Sequence, residues 1–452
     1  MRRLGSAMGT LVLWVGGCSA ASPDSSTPNV ATQAITAEPE HEAADEDEDE
    51  AGLPDTVIDW NAHLDDALIA GGSDPGASAR IAATTQTAVF DSVNGIIGRF
   101  HQLHVRHVGT APARRSATVR AAAAQAAHDV LVGFYPAQQA DLDGKLDVSI
   151  NALLAGGGHE RCSRVQAGRT WGSSVAADVF TWRAGDHYGD PMPPYTFSSA
   201  PGRYQLTPGS PPFGPVNRNW IGVTPFAIHD AADFRTPGPP SLRSRKYAED
   251  VNESEQKGAL TGSSRAQDQS DLAVFWMGNA STPFDSMARQ LLATHPRSIV
   301  EEARILALLN VAASDAQVAI FTDKDIYDSW RPYTAITEAD LDGNPATTKD
   351  AAWQSFLFTP PFPEYPAGHS ETAGAATGVL QAFFGNSIDV TVETATLPGH
   401  ARSFASFSAV RAEMNDARVF GGMHFRSACV DGAEAGRDLA SWVVGHVATP
   451  VR

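Results

Sequence analysis

From residue 76 to residue 446 the chain keeps returning to one pattern, apolar residues three or four positions apart in helix-forming company. The segments are 76–96, 117–134 (ATVRAAAAQAAHDVLVGF), 163–184, 266–277, 283–293, 299–322, 370–384, 403–419 and 433–446. Convincing strand alternation is nearly absent. Pro- and Gly-rich connections such as 186–220 lie between the helical segments and read as long surface loops. Burying so many helical faces requires other helices, so the pattern predicts an all-α fold. From residue 53 onward the chain is long enough for a large core, and residues 53–452 are expected to form one helical domain.

The N-terminal stretch MRRLGSAMGTLVLWVGGCSA has a different logic. Two arginines precede an apolar run too short to span a bilayer and stay there, followed by Val15-Gly16-Gly17-Cys18. That layout predicts a secretory signal over 1–17. Its cleavage region resembles a bacterial lipobox, with Cys18 as the lipidated residue. Export and a lipid anchor on a bacterial membrane, periplasmic or at the cell surface, are the expectation. No later apolar run is expected to be long enough to cross one.

Residues 18–52, ending in EPEHEAADEDEDEAG, contain no Lys or Arg and read as a solvated acidic tether. The tether supplies much of the formal charge of −19, which argues against nucleic acid as a partner. Beyond it only Cys162 and Cys429 remain, and pairing or two buried thiols both stay open. The absence of CxxC or of a close Cys/His set argues against structural zinc. Two DLDG stretches, Asp141–Gly144 and Asp340–Gly343, have Ile150 or Lys349 where a calcium loop needs a bidentate glutamate, so polar turns at helix boundaries are expected there.

Three segments of the C-terminal third carry chemistry. In the first, Lys324 and Arg331 are seven residues apart, which would set them on one side of two helical turns, with Pro332 marking where the chain leaves the helix. Cations near a helix C-terminus are also what the macrodipole attracts. The second is PEYPAGHSETAG, 363–374, where Pro366 and Gly368 shape a turn before a helix. The exposed N–H groups of that helix start make an anion-binding cup. His369 beside it is either a proton carrier or a helix cap. In the third, Arg418 and His424 flank Gly421-Gly422, whose reversal would let the two side chains converge, unless His424 is simply structural. Three cations, a turn of N–H groups and two histidines suit a compact tetrahedral or trigonal-bipyramidal oxyanion.

These segments resemble the signatures of the vanadium-dependent haloperoxidase and type 2 phosphatidic acid phosphatase superfamily. Lys-x6-Arg-Pro is complete at Lys324 and Arg331-Pro332, Pro-Ser-Gly-His reads Pro366-Ala367-Gly368-His369, and Arg-x5-His reads Arg418 to His424. DAQVAIFTDKDIYDSWRPYTAI (315–336), FPEYPAGHS (362–370) and VFGGMHFRSA (419–428), with the earlier VIDWNAHL (57–64) and SRAQDQSDLAVFW (264–276), are similar to the soluble bacterial haloperoxidase-like branch. The resemblance spans roughly 53–448. It implies two packed helical bundles of the chloroperoxidase and acid phosphatase type, with the three segments meeting at the end of one bundle.

The resemblance also implies roles. Lys324, Arg331, Arg418 and the Gly368 N–H would hold the oxygens of vanadate, or of phosphate. His424 would be the vanadium ligand or the nucleophile toward phosphorus, and His369 the acid–base. As a haloperoxidase the protein would use hydrogen peroxide to oxidise a halide to hypohalous acid through peroxovanadate polarised by Lys324, or would act on a small organic acceptor. Phe362 resembles the aromatic near the halide site of chloride-oxidising members. The alternatives are a histidine-dependent acid phosphatase acting on phosphomonoesters, or a catalytically silent anion-binding domain.

Three departures bear on this. Ala367 deletes a hydroxyl donor, worth about 1–3 kcal/mol if nothing replaces it. Ala428 stands where an aspartate would orient the imidazole, leaving a carbonyl or Asp431 as acceptors. Ala417 replaces a serine, with no effect assigned.

Overall fold

A computed structural model describes residues 52–105, 110–278 and 281–451; the predicted signal peptide, Cys18 and the acidic tether up to residue 51 lie outside the described residues. The N-terminal helices are α1 (Thr56–Gly71), α2 (Pro75–Ile97), α3 (Ser116–Phe134), α4 (Gln139–Leu154) and α5 (His159–Ala184). After a long connection come α6 (Arg245–Gly258), α7 (Gln267–Phe275), α8 (Thr282–Thr294), α9 (Ile299–Tyr327) and α10 (Pro332–Thr337). The chain ends with α11 (Gly368–Phe384), strands β1 (Ser387–Val392) and β2 (Arg402–Ser406), then α12 (Phe407–Phe420) and α13 (Arg426–His446). The fold is all-α apart from that one antiparallel hairpin.

Helix ends follow local chemistry. The Asp55 carboxylate accepts the N–H groups of Val57 and Ile58 at 3.1 and 3.2 Å, and Asp74 caps α2 ahead of Pro75, each cap contributing about 1 kcal/mol. α9 starts with Glu301 accepting from the Ser298 N–H and hydroxyl.

α9 links two groups of helices, an N-terminal bundle of α1–α5 and a C-terminal bundle of α11–α13. It packs on α2 and α1 on the N-terminal side, and on α11 and α13 on the C-terminal side. Its run is long and apolar enough to cross a bilayer, contrary to the expectation that no later segment would be, yet 94% of that stretch is buried inside the fold. Two helix pairs approach unusually closely because glycines line the crossing. A Cβ on Gly168 of α5 would lie 2.2 Å from the Thr118 carbonyl oxygen of α3, and one on Gly436 of α13 would lie 2.0 Å from the Glu371 carbonyl oxygen of α11.

Buried carboxylates pin the long connections to this frame. Asp91 of α2 accepts the N–H groups of Leu103, His104 and Val105 at 2.8, 2.8 and 2.9 Å. Asp315 of α9 accepts those of Phe226, Ala227 and Ile228 at 2.6, 2.8 and 3.0 Å. Burial pushes both carboxyls up to about 6 against the pull of these N–H donors. The connection 186–220 is therefore only partly a surface loop, since Tyr204 and Trp220 within it are fully buried.

The structure departs from the sequence reading in places. Asp141–Gly144 is helical, inside α4, because Leu142, Leu146, Ile150 and Leu153 form a buried stripe that carries the helix through an unobstructed Gly144. The second DLDG starts in a short 3-10 helix, Ala339–Leu341, and leaves it with Gly343 at φ +67°. Residues 403–406, expected at the start of a helix, pair as β2 with β1, where Ile388, Val390 and Val392 alternate inward. α1, α4, α6 and the short α10 were not among the expected helices. Cys162 and Cys429 are both free, the first exposed and the second buried.

Candidate functional site

Lys324 sits in the last turn of α9, which ends at Tyr327 because Asp328 takes a left-handed conformation and returns its N–H to the Lys324 carbonyl. Arg331 is thus beyond the helix, not one face further along it, and Pro332 opens α10 instead of closing α9. The two cations nevertheless share a surface: the Phe362 ring lies 5.2 Å from Lys324 Nζ and 4.9 Å from the Arg331 guanidinium carbon.

Lys324 Nζ donates to the carbonyls of Pro363, Glu364 and Pro366 at 2.9, 2.8 and 2.5 Å. Its three donors hold the turn before α11, so a direct bond to an anion would exchange one of them. Arg331 donates from Nε to the Phe362 carbonyl and from Nη1 to the Met423 carbonyl, both at 2.8 Å.

That turn delivers the start of α11. Ala367 is its N-cap and sends its own N–H to the Ala428 carbonyl at 3.1 Å, while the N–H groups of Gly368, His369 and Ser370 have no acceptor within the helix. His369 is partly buried, and its Nε2 bonds the Gly278 carbonyl at 3.1 Å, so Nε2 carries the proton and Nδ1 is bare. Burial and the nearby Arg418 push this ring down to about 3, keeping it neutral near pH 7.

Arg418 closes α12, and Gly421-Gly422 reverses the chain. Gly422 has φ +74° and lies where a Cβ would be 2.5 Å from the Gly258 carbonyl oxygen, so only glycine fits. Arg418 donates to the Trp276 carbonyl at 3.2 Å and to Met423 Sδ at 3.3 Å. Beyond the reversal His424 returns to the cup. Its Nε2 is 3.0 Å from Arg331 Nη1, and its Nδ1 is 2.9 Å from Glu364 Oε1. Burial, then Arg331, Lys324, Arg418 and His369, hold this ring well below its ordinary value. Glu364 itself is pushed up to about 7 by burial, against the downward pull of Arg331 and Lys324.

The acceptor for His424 is therefore neither a carbonyl nor Asp431, the two options the sequence suggested. Asp431 accepts from the Tyr365 hydroxyl at 2.7 Å instead. Glu364 was missed although it lies inside the PEYPAGHS stretch; a carboxylate three residues before the cup glycine's neighbour Ala367 was the available signal. Glu371, in the first turn of α11, was also missed. It is 1% exposed with Oε2 unpartnered, and burial holds it well above the carboxylate range beside Asp323 and Lys324.

The structure thus brings Lys324, Arg331, Gly368, His369, Arg418 and His424 to one place. Lys324, Arg331 and Arg418 are 1%, 0% and 2% exposed. Among the described residues the carboxylate contact in the cup goes to His424, not to any of the three cations. Burial pushes both guanidiniums down to about 10, with Glu364 pulling Arg331 the other way through space. Among the described residues Arg331 Nη2 and Arg418 Nε are buried with no hydrogen-bond partner. Orphaned guanidinium N–H groups beside a free helix N-terminus fit an oxyanion, whereas a cationic donor set repels a bare metal ion.

Residues 304–452 match the family model described as the VCPO second helical-bundle domain. Vanadium chloroperoxidase of Curvularia inaequalis is 25% identical over 335 residues, 60% of this chain and 53% of that protein. The chain thus spans about half the length of this curated relative. Two solved structures share the fold. The first bacterial vanadium-dependent iodoperoxidase has a TM-score of 0.73 at 22% identity, over 90% of this chain and all of that one. An apo-type bacterial vanadium-dependent chloroperoxidase has 0.65 at 19% identity, over 83% of this chain and 94% of that one.

Proposed function

Starting from a chain that belongs to the vanadium-dependent haloperoxidase superfamily, we propose that this protein is a haloperoxidase-like enzyme that binds vanadate and uses hydrogen peroxide to oxidise a halide. The observation that carries this reading is the set of three buried cations that, among the described residues, make no ion-pair contact with a carboxylate, two of them with an orphaned N–H.

Arg331 Nη2 and Arg418 Nε would bond the anion's oxygens, and the free N–H groups at the start of α11, Gly368 among them, would add donors. His424 Nε2, the unprotonated nitrogen, would coordinate the metal by giving up the bond it accepts from Arg331 Nη1. Bound vanadate supplies a Lewis acid that activates hydrogen peroxide toward a halide. Lys324 contributes positive charge from behind the turn it holds. His369 Nδ1 is bare and neutral, so it is the nitrogen available to take a proton from hydrogen peroxide. Phe362 covers Lys324 and Arg331 and limits how much water reaches them.

The test is to load the protein with orthovanadate and follow peroxide-dependent iodide and bromide oxidation beside hydrolysis of a phosphomonoester. Halide oxidation that requires vanadate is the expected result. His424→Ala should abolish vanadate retention, and Arg331→Ala should weaken it roughly ten- to hundred-fold through loss of a charge-assisted bond. Ester hydrolysis without any halide oxidation would reassign the cup to phosphate and His424 to nucleophile.

The N-terminal stretch supports a second part of the proposal, export and membrane anchoring through a lipidated Cys18. Mass spectrometry of the mature protein should find that cysteine at the N-terminus carrying lipid. An unmodified N-terminus further along would remove it.

A further inference from the structure

We propose that Glu364 is the positioning residue for His424, fixing its ring as the Nδ1–H tautomer so that Nε2 faces the anion; the inference rests on the vanadate-binding reading above. The argument begins with Arg331, whose guanidinium can only donate. Nε2 of His424, 3.0 Å from Nη1, must therefore accept, which leaves the proton on Nδ1 and makes Glu364 Oε1, 2.9 Å away, its acceptor.

The carboxylate is fixed from several sides. Oε1 also accepts the N–H of Phe425, the N-cap of α13, at 2.9 Å. The Glu364 main-chain N–H goes to the Ser329 carbonyl at 2.9 Å, and its carbonyl accepts from Lys324 at 2.8 Å. One residue thus ties together the segments that carry Lys324 and Arg331, the start of α11, and His424.

Position 428 offers no substitute, because Ala428 is fully buried and its carbonyl is taken by the Ala367 N–H. Asp431 is engaged by Tyr365. A small cavity of about 50 Å³ lies against Glu364, lined also by Tyr247, Asp250, Trp330 and Phe425. It is large enough for water to follow if the carboxylate is truncated.

The test uses vanadate-free protein carrying ¹⁵N-labelled histidine, read by NMR at neutral pH, followed by vanadate titration. Wild type should show His424 as the Nδ1–H tautomer. Glu364→Ala, and Glu364→Met, which keeps the volume without an acceptor, should give a tautomer mixture and bind vanadate roughly 10–100-fold more weakly. Glu364→Gln should restore the tautomer and most of the affinity, because the two converging N–H donors hold its carbonyl oxygen toward His424.

A single Nδ1–H tautomer persisting in both the Ala and Met variants would overturn the proposal. So would vanadate affinity in those variants within twofold of wild type. Failure of wild type to bind vanadate at all would overturn the functional reading instead, and the tautomer measurement would still decide the role of Glu364.

Discussion

In the N-terminal bundle Arg80 of α2 and Arg183 of α5 close on one carboxylate, Asp186, at 2.6 and 2.7 Å, and Arg183 also donates to the Thr224 carbonyl at 2.7 Å. In the C-terminal bundle Lys324, Arg331 and Arg418 are also buried, yet they bond carbonyls, a ring nitrogen and a thioether. Arginines drawn from separate elements meet in both places, but among the described residues only the first cluster pairs directly with a carboxylate. Desolvating a cation costs several kcal/mol unless an anion or a full set of acceptors compensates. The N-terminal cluster meets that cost within the fold, and the C-terminal cup leaves part of it for a ligand.

Removing the built-in counter-ion should have the largest effect. Asp186→Ala would leave Arg80 and Arg183 buried and mutually repelling, a loss of about 3–5 kcal/mol in urea unfolding with vanadate affinity unchanged in whatever folds. Arg418→Met makes the opposite test. Without vanadate its stability should stay within about 1 kcal/mol of wild type, because an uncompensated charge has gone with its contacts. The vanadate-induced gain, about 2.7 kcal/mol at a hundred times the wild-type Kd, should fall to about 0.4–1.4 kcal/mol for a ten- to hundred-fold loss of affinity. If Arg418→Met were as destabilising as Asp186→Ala, the distinction between the two clusters would fail.

Packing gives a smaller effect. Gly168→Ala and Gly436→Ala each put a methyl against a carbonyl oxygen, at 2.2 and 2.0 Å, and each should cost about 1–3 kcal/mol in thermal or urea unfolding. Only Gly436→Ala should also weaken vanadate binding, since the atom it meets belongs to Glu371, in the first turn of α11 beside the cup.

The smallest effect concerns pH. His128 of α3 lies 2.7 Å from Asp129 and 2.8 Å from Asp143, and its pKa is raised because those carboxylate bonds outweigh the largest opposing effect, desolvation. A raised folded pKa means the stabilisation is complete below the unfolded value near 6.5 and is lost as pH rises through the folded value. Urea unfolding at pH 6 and pH 9 should show a decline of under about 1 kcal/mol from this group, and His128→Asn should remove it. Vanadate affinity should not follow that change.

The sequence by itself determined most helices, since 76–96, 117–134, 283–293 and 370–384 read within two residues of α2, α3, α8 and α11. It also determined which three segments carry the cations and histidines of the cup. Helical period and motif spacing are properties of neighbours along the chain, so they survive in a one-dimensional reading. The end of α9 at Tyr327 was less legible, because a left-handed Asp328 has a weaker signal than the proline that follows. β1 was missed because six residues of alternation are too few to compete with the surrounding helical pattern. Only the tertiary structure decided how the cup is wired. Lys324 spends its donors on carbonyls 39–42 residues away, and His424 finds its acceptor in Glu364, 60 residues earlier. Such partners are chosen by whichever acceptor the packed backbone brings within reach of a buried donor, and no local pattern encodes that distance.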